Sequence, residues 1–196
     1  MKKQLLNILL IICTATFTYG QTLVSNKSYK IDKSHSSLLF TLSHFVISDV
    51  NGSFKDFQGD LQYSKVDFSD AIVNIDIKAA SLETNDANRD THLKTADFFD
   101  ISKYPEITFQ STSFKKVKNQ NYQIKGNLTV NGITKPITLE AIYKGEFTNP
   151  TYKTTSAVFQ ISADIVRKDY NIGNTYPSAA LGEIVQLKGV IELLKQ

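Results

Sequence analysis

The stretch YQIKGNLTVNGITKPITLEAIY, residues 122–143, decides how this chain folds. Tyr122, Ile124, Gly126, Leu128 and Val130 alternate with mainly polar neighbours, and Ile137, Leu139, Ala141 and Tyr143 do the same. A period of two marks a strand with one buried face. Between the runs stands Asn131-Gly132, the strongest short hairpin signal, because both residues tolerate positive φ. Pro136 falls near the start of its strand, where a missing ladder donor is tolerated. The stretch predicts two antiparallel strands joined by a tight turn.

The pattern continues in both directions. Upstream, Ala71, Val73, Ile75 and Ile77 alternate with Ile72, Asn74, Asp76 and Lys78. Downstream come Thr155, Ala157, Phe159, Ile161, Ala163 and Ile165, then Val185, Leu187, Gly189, Ile191 and Leu193. Shorter candidates are Tyr29–Ile31, Ser37–His44, Asp60–Tyr63 and Glu106–Ser113, and Asn149-Pro150 marks another turn. One region reads as helix: Thr84 caps a segment running to Leu93, and Ala96–Asp100 forms a further turn. About eight strands in series with one helical insertion predict an all-β, closed antiparallel up-and-down barrel, since closure removes exposed edges. The run Lys153–Ile165, at ~3.3 Å per residue, spans on the order of 40 Å. Strands of that length enclose a deep, narrow interior. It suits one linear apolar ligand, or else the barrel's own side chains; the pattern leaves both open.

Residues 1–20 read as a secretory signal peptide: Lys2 and Lys3, an apolar run from Leu5 to Ile12, and a cleavage region ending at Thr18-Tyr19-Gly20. The apolar run is shorter than the roughly 20 residues a membrane span needs. Cleavage near Gly20 leaves a single domain, residues 21–196, in the periplasm or outside the cell. A lipid anchor at Cys13 is the alternative, opposed by the bulky Ile12 before it. Cys13 is the only cysteine, so the mature chain has neither disulfide nor thiol catalysis. The formal charge is +3, and Lys2 and Lys3 leave with the leader. The nearly neutral remainder has no field to gather nucleic acid or acidic lipid surfaces, and no stable membrane insertion is expected. There is no G-x-S-x-G elbow, phosphate-binding glycine loop or dinucleotide fingerprint. Asp97 and Asp100 could pair as glycosidase carboxylates, but they flank Phe98-Phe99 in a stretch where capping roles are commoner. The residues therefore predict a non-enzyme without a cofactor.

Several motifs then occur in order: Asp32-Lys33-Ser34-His35-Ser36, Phe40-Thr41-Leu42-Ser43-His44, Gly52-Ser53-Phe54 and Phe57-Gln58-Gly59. Ser81-Leu82-Glu83-Thr84, Arg89-Asp90-Thr91-His92-Leu93 and Asp97-Phe98-Phe99-Asp100 follow. The series ends with Tyr104-Pro105-Glu106-Ile107-Thr108-Phe109, the segment Gly126–Thr134, and Arg167-Lys168-Asp169-Tyr170-Asn171-Ile172-Gly173. From about Tyr29 to Leu194 the chain resembles the YceI-like family. The resemblance implies a lipocalin-like barrel in the periplasm or exterior, a polyisoprenoid, isoprenoid quinone or related long-chain lipid in an extended cavity, and a homodimer. Departures are small: Tyr170 stands where phenylalanine is common and Lys33 where proline is common.

Candidate cavity residues are Phe40, Leu42, Phe54, Phe57, Phe98, Phe99, Phe109, Leu128, Leu139 and Phe159, because lipid pockets need apolar walls with few polar groups. The alternative for each is packing on its neighbours. Of 22 Lys and Arg residues only Arg89 and Arg167 are arginine. A guanidinium offers a bidentate fork to a carboxylate or phosphate, so either could meet a ligand head group, assisted by Tyr170 or His92. The competing reading, and the favoured one, is an internal clamp to Asp90, Asp97, Asp100 or Asp169. His35 and His44, nine apart, would face opposite ways on one strand, and His92 has no partner at metal-site spacing. No metal is expected; a histidine such as His44 or His92 serves as a polar contact at the cavity mouth.

Overall fold

The structure, a computed structural model, describes residues 27–196; the leader read in residues 1–20, with Cys13, lies outside them. Its elements are β1 (Lys27–Ile31), β2 (Ser37–His44), β3 (Ser48–Phe54), β4 (Phe57–Tyr63), β5 (Ile72–Lys78), β6 (Leu82–Glu83), α1 (Ala87–Leu93), β7 (Glu106–Lys118), β8 (Asn121–Val130), β9 (Ile133–Thr148), β10 (Thr155–Val166) and β11 (Leu181–Lys195). All pairings are antiparallel, in the order β1-β4-β5-β7-β8-β9-β10-β11-β2-β3-β6, and β1 also pairs with β11.

Eleven strand segments make a closed barrel of eight because three walls are broken. β11 pairs along one stretch with β2 and along the next with β1, so β1 and β2 are one interrupted strand. β3 and β4 form the next wall, and β5 and β6 the third. The breaks, at residues 32–36, 55–56 and 79–81, lie side by side. The Lys55 N–H donates to the Ser81 carbonyl at 3.1 Å, the Lys78 N–H to Asp56 at 2.9 Å, and Lys33 pairs with Asp56 at 2.6 Å. The first break has a local cause: the Asp32 carboxylate accepts from the Ser34 amide and hydroxyl and turns the chain out of the ladder.

This seam divides the interior. Toward the end that holds both termini of the described chain, the barrel is filled. Tyr29 stacks on Tyr63 with centroids 5.5 Å apart, and Tyr63 meets Phe68 at 4.8 Å. Phe68 contacts Tyr143 at 5.4 Å and Phe159 at 5.6 Å, while Phe114 and Tyr122 lie 5.3 Å apart. Phe68 comes from the β4–β5 loop, which Asp70 folds inward by accepting from the Ser64 hydroxyl and the Ser64 and Lys65 amides. Each such aromatic pair adds about 0.5–1.5 kcal/mol beyond the area it buries.

The opposite end carries the long connections: residues 84–105 with α1, the Asn131-Gly132 turn, and residues 167–180. The hairpin forms as its sequence predicts, with φ of 51° and 70° at these two residues. Asn131 also donates to the Phe98 carbonyl at 2.5 Å and the Tyr170 carbonyl at 3.1 Å, tying both long connections to the turn. One correction concerns the helix start. Its cap is Asp86, which accepts from the Asn88 and Arg89 amides at 3.0 Å each; Thr84 lies buried just before it.

Candidate functional site

Above the seam the barrel holds an open cavity of about 340 Å³, at the lower end of the ~300–1,000 Å³ typical of ligand pockets. Its walls are almost wholly apolar. β2 contributes Leu38, Phe40 and Leu42, β3 contributes Val50 and Phe54, and β11 contributes Val185 and Leu187. Ile77, Leu82, Ile107, Leu128, Val130 and Ile165 complete the barrel wall, while no residue of β9 takes part. The roof is Leu93, Phe98 and Phe99 on one side and Ile172, Tyr176 and Leu181 on the other. Inward positions of β2 alternate as a strand requires, so the motif Phe40-Thr41-Leu42-Ser43-His44 places Phe40, Leu42 and His44 in the cavity and Thr41 on the outside, bonded to Asn51 at 2.7 Å. The Phe40 ring lies over Gly52, where any side chain would collide with it.

Of the sequence candidates, Phe40, Leu42, His44, Phe54, Arg89, His92, Phe98, Phe99, Leu128 and Arg167 line the cavity. Phe57, Phe109, Leu139, Phe159 and Tyr170 do not. Phe57 follows the seam immediately and is buried in the core. The Phe109 ring folds onto Gly126 on the neighbouring strand. Phe159 packs against Phe114 and Tyr143 at the filled end, and Leu139 is buried opposite Ile124, the ladder partner of Phe114. Tyr170 is buried with no partner for its hydroxyl among the described residues, and burial pushes that hydroxyl up to about 12. Alternation identified Leu139 and Phe159 as inward-facing; it carries no information on how deep along the barrel they sit.

The two arginines correct a second expectation, since neither clamps an aspartate. Arg167 is fully buried and spends its donors on five backbone carbonyls: Gly182 at 2.8 Å, Ile172 at 2.8 Å, Gly173 at 2.5 Å, Tyr176 at 2.9 Å and Leu181 at 3.0 Å. Among the described residues no carboxylate pairs with it, and burial lowers its pKa from the ordinary value. It staples the 171–182 connection to the barrel. Arg89 donates Nε to the Thr84 hydroxyl and Nη2 to the Thr84 carbonyl, each at 2.7 Å. Its Nη1 makes no hydrogen bond among the described residues. Asp90, the neighbour expected to clamp it, accepts instead from the Thr84 amide and hydroxyl. His92 stands at the rim, 3.3 Å from Asp97 and edge-on to Phe98. Among the described residues the lining contains no carboxylate, and the formal charges it carries are those of Arg89 and Arg167.

His35 is remote from the mouth, in the break between β1 and β2. There Asp32, His35 and Glu192 bring ligand atoms within 4.8 Å of one another. The Asp32 oxygens are already occupied by Ser34 and His35, which together hold its pKa down at about 2. Leu38, Val50, Tyr176 and the β11 residues were missed as lining; Val185 and Leu187 stood in a recognised alternation, and only their depth was hidden. No helix among the described residues is long and apolar enough to cross a membrane.

Comparison with known proteins places the fold among relatives. The pattern described as YceI-like domain matches residues 29–193. A UPF0312 protein of Enterobacter sp. (strain 638) is 39% identical over 194 residues, covering 97% of this chain and 98% of its own. Protein YceI of Salmonella newport is 40% identical over 174 residues, 88% of each chain. The crystal structure of Campylobacter jejuni YceI superposes with a TM-score of 0.69 at 29% identity, covering 74% of this chain and 85% of that one. Two more distant structures share the fold: Burkholderia cenocepacia BcnA, with a TM-score of 0.75 at 20% identity over 83% of this chain and 98% of its own, and a polyisoprenoid binding domain from Saccharophagus degradans, with 0.62 at 15% over 84% and 97%.

Proposed function

This chain belongs to the YceI-like family, and from that premise we propose that it carries a long-chain isoprenoid, isoprenoid quinone or fatty lipid through an aqueous compartment outside the cytoplasm. The observation that carries the reading is the cavity itself. A barrel that fills one end with interlocked aromatics leaves the other end open and apolar. The polyisoprenoid-binding name of the S. degradans neighbour supports the same ligand class. The basic and apolar segment at residues 1–20 supports export to the periplasm or exterior.

Binding is driven by burial of apolar area, worth about 0.8 kcal/mol for each methylene withdrawn from water. The tail occupies the space between Leu38, Phe54 and Leu187 and stops at the seam, where the aromatic plug begins. A polar or anionic head group stays at the mouth and takes the unused Nη1 of Arg89, with His92 beside it; Arg167 has no donor to offer. Native mass spectrometry with solvent extraction, on protein purified from its own host's secreted fraction, tests this. A stoichiometric polyisoprenoid, quinone or fatty lipid is the expected result. An empty protein that also refuses a panel of such lipids would remove the carrier function.

A further inference from the structure

The turn between β2 and β3, Phe45-Val46-Ile47, departs from ordinary hairpin chemistry in two ways. Its three successive apolar side chains are 60%, 74% and 91% exposed. Phe45 and Val46 have φ of 50° and 67°, in the left-handed region that a β-branched residue strongly disfavours. At the same end of the barrel the β8–β9 turn uses two closely similar positive φ values, 51° and 70°, on Asn131 and Gly132. The chain thus has a low-strain, polar solution for one turn and an apolar, strained one for the other. The strained turn is continuous with the cavity. Phe45 belongs to its lining, lies 4.3 Å from the His44 ring, and donates its N–H to the Ala180 carbonyl at 3.0 Å.

We propose that this turn is a finger that seats the cavity mouth on a lipid bilayer, with Val46 and Ile47 entering the interfacial zone so that cargo passes between membrane and barrel without crossing water. The proposal rests on the carrier reading above. A second protein copy is a poorer occupant, because a stable interface needs about 800 Å² from each partner and three side chains at a turn supply much less. A bilayer accepts a narrow apolar tip and rewards each side chain it buries. The rim has no excess positive charge: residues 84–105 carry Asp86, Asp90, Asp97 and Asp100 with Arg89, Lys94 and Lys103, and residues 167–180 carry Asp169 with Arg167 and Lys168. Insertion is therefore apolar in origin and insensitive to salt.

The test uses delipidated full-length secreted protein, wild type and the double variant Val46→Gly/Ile47→Asn. Flotation with phosphatidylcholine vesicles containing some phosphatidylglycerol reports association, and stopped-flow transfer of a fluorescent polyisoprenol from those vesicles reports exchange. The same probe offered in micelles reports cavity affinity. The double variant is expected to lose association and transfer by roughly tenfold or more, at low and high salt alike. It should keep its micellar affinity and melt no lower than wild type, since glycine relieves the strain at position 46. A folded variant that floats and exchanges like wild type overturns the finger. So does a variant whose only change is oligomeric state by light scattering, or wild-type association that disappears at high salt. Failure of wild type to take the probe from micelles would instead sink the carrier reading, and flotation would still judge the finger.

Discussion

The two ends of this barrel are walled by the same strands and finished differently. At one end the β4–β5 loop folds Phe68 inward, and Phe159, Tyr143, Tyr63 and Phe114 close around it. At the other, the long connections hang from polar anchors: Arg167 on five carbonyls, Asn131 on two, and Thr84 between Arg89 and Asp90. An interior plug leaves no space, whereas connections held by hydrogen bonds at their edges can roof a space without entering it. The difference teaches that a filled core and an open apolar cavity can coexist in one barrel, divided at the height where three strands break.

The largest expected effect comes from cutting the plug. Phe159→Ala should destabilise the protein by about 3–5 kcal/mol, measured by urea unfolding. Leu42→Ala, which faces the open cavity, should cost under about 1.5 kcal/mol. Equal losses at the two sites would break the comparison, because they would mean the upper end is packed as tightly as the lower.

The arginines sharpen it further. An ammonium has three donors where Arg167 uses five, so Arg167→Lys should cost on the order of 2–4 kcal/mol through carbonyls left unpaired. Arg89→Lys should change stability by less than about 1 kcal/mol and weaken retention of a lipid with an anionic head group. Retention equal to wild type in Arg89→Lys, with the fold intact, would remove Arg89 from the head-group site.

The smallest effect lies at the seam. The Ser34 hydroxyl, then the His35 ring, hold Asp32 at about 2, below its ordinary 3.8. A depressed carboxylate contributes stability that is fully present above 3.8 and is lost as pH falls through about 2. Asp32→Asn should therefore be less stable than wild type at neutral pH, and the gap should close between those two values. A gap that persists unchanged in acid would assign the loss to packing of the turn rather than to the charge.

Much of this was legible before any coordinates. Asn131-Gly132 announced its hairpin, and the alternation from Ala71 to Ile77 and from Thr155 to Ile165 announced inward and outward faces, because a strand's period of two is a local property. The order of motifs announced the family. The β3 strand went unread, since Ser48-Asp49-Val50-Asn51-Gly52 has too few apolar residues to show its face, and Gly52 earns its place only under the Phe40 ring. Phe68 was unreadable for a related reason: it sits in a loop between Asp67 and Ser69, and nothing local says that Asp70 will turn it inward. The arginine partners were misjudged because chain neighbours such as Asp90 and Asp169 looked available, while the acceptors used by Arg167 are carbonyls that only the folded connection turns toward it.

By itself, then, the order of residues determined an all-β barrel, its hairpins, its helical insertion and its membership of the YceI-like family. The tertiary structure alone decided which inward side chains fill the barrel and which surround a space. Facing is set by the geometry of one strand, but depth is set by where strands break, how neighbours are staggered and which loop folds back. Those depend on hydrogen bonds between residues far apart in the chain, and no local pattern encodes them.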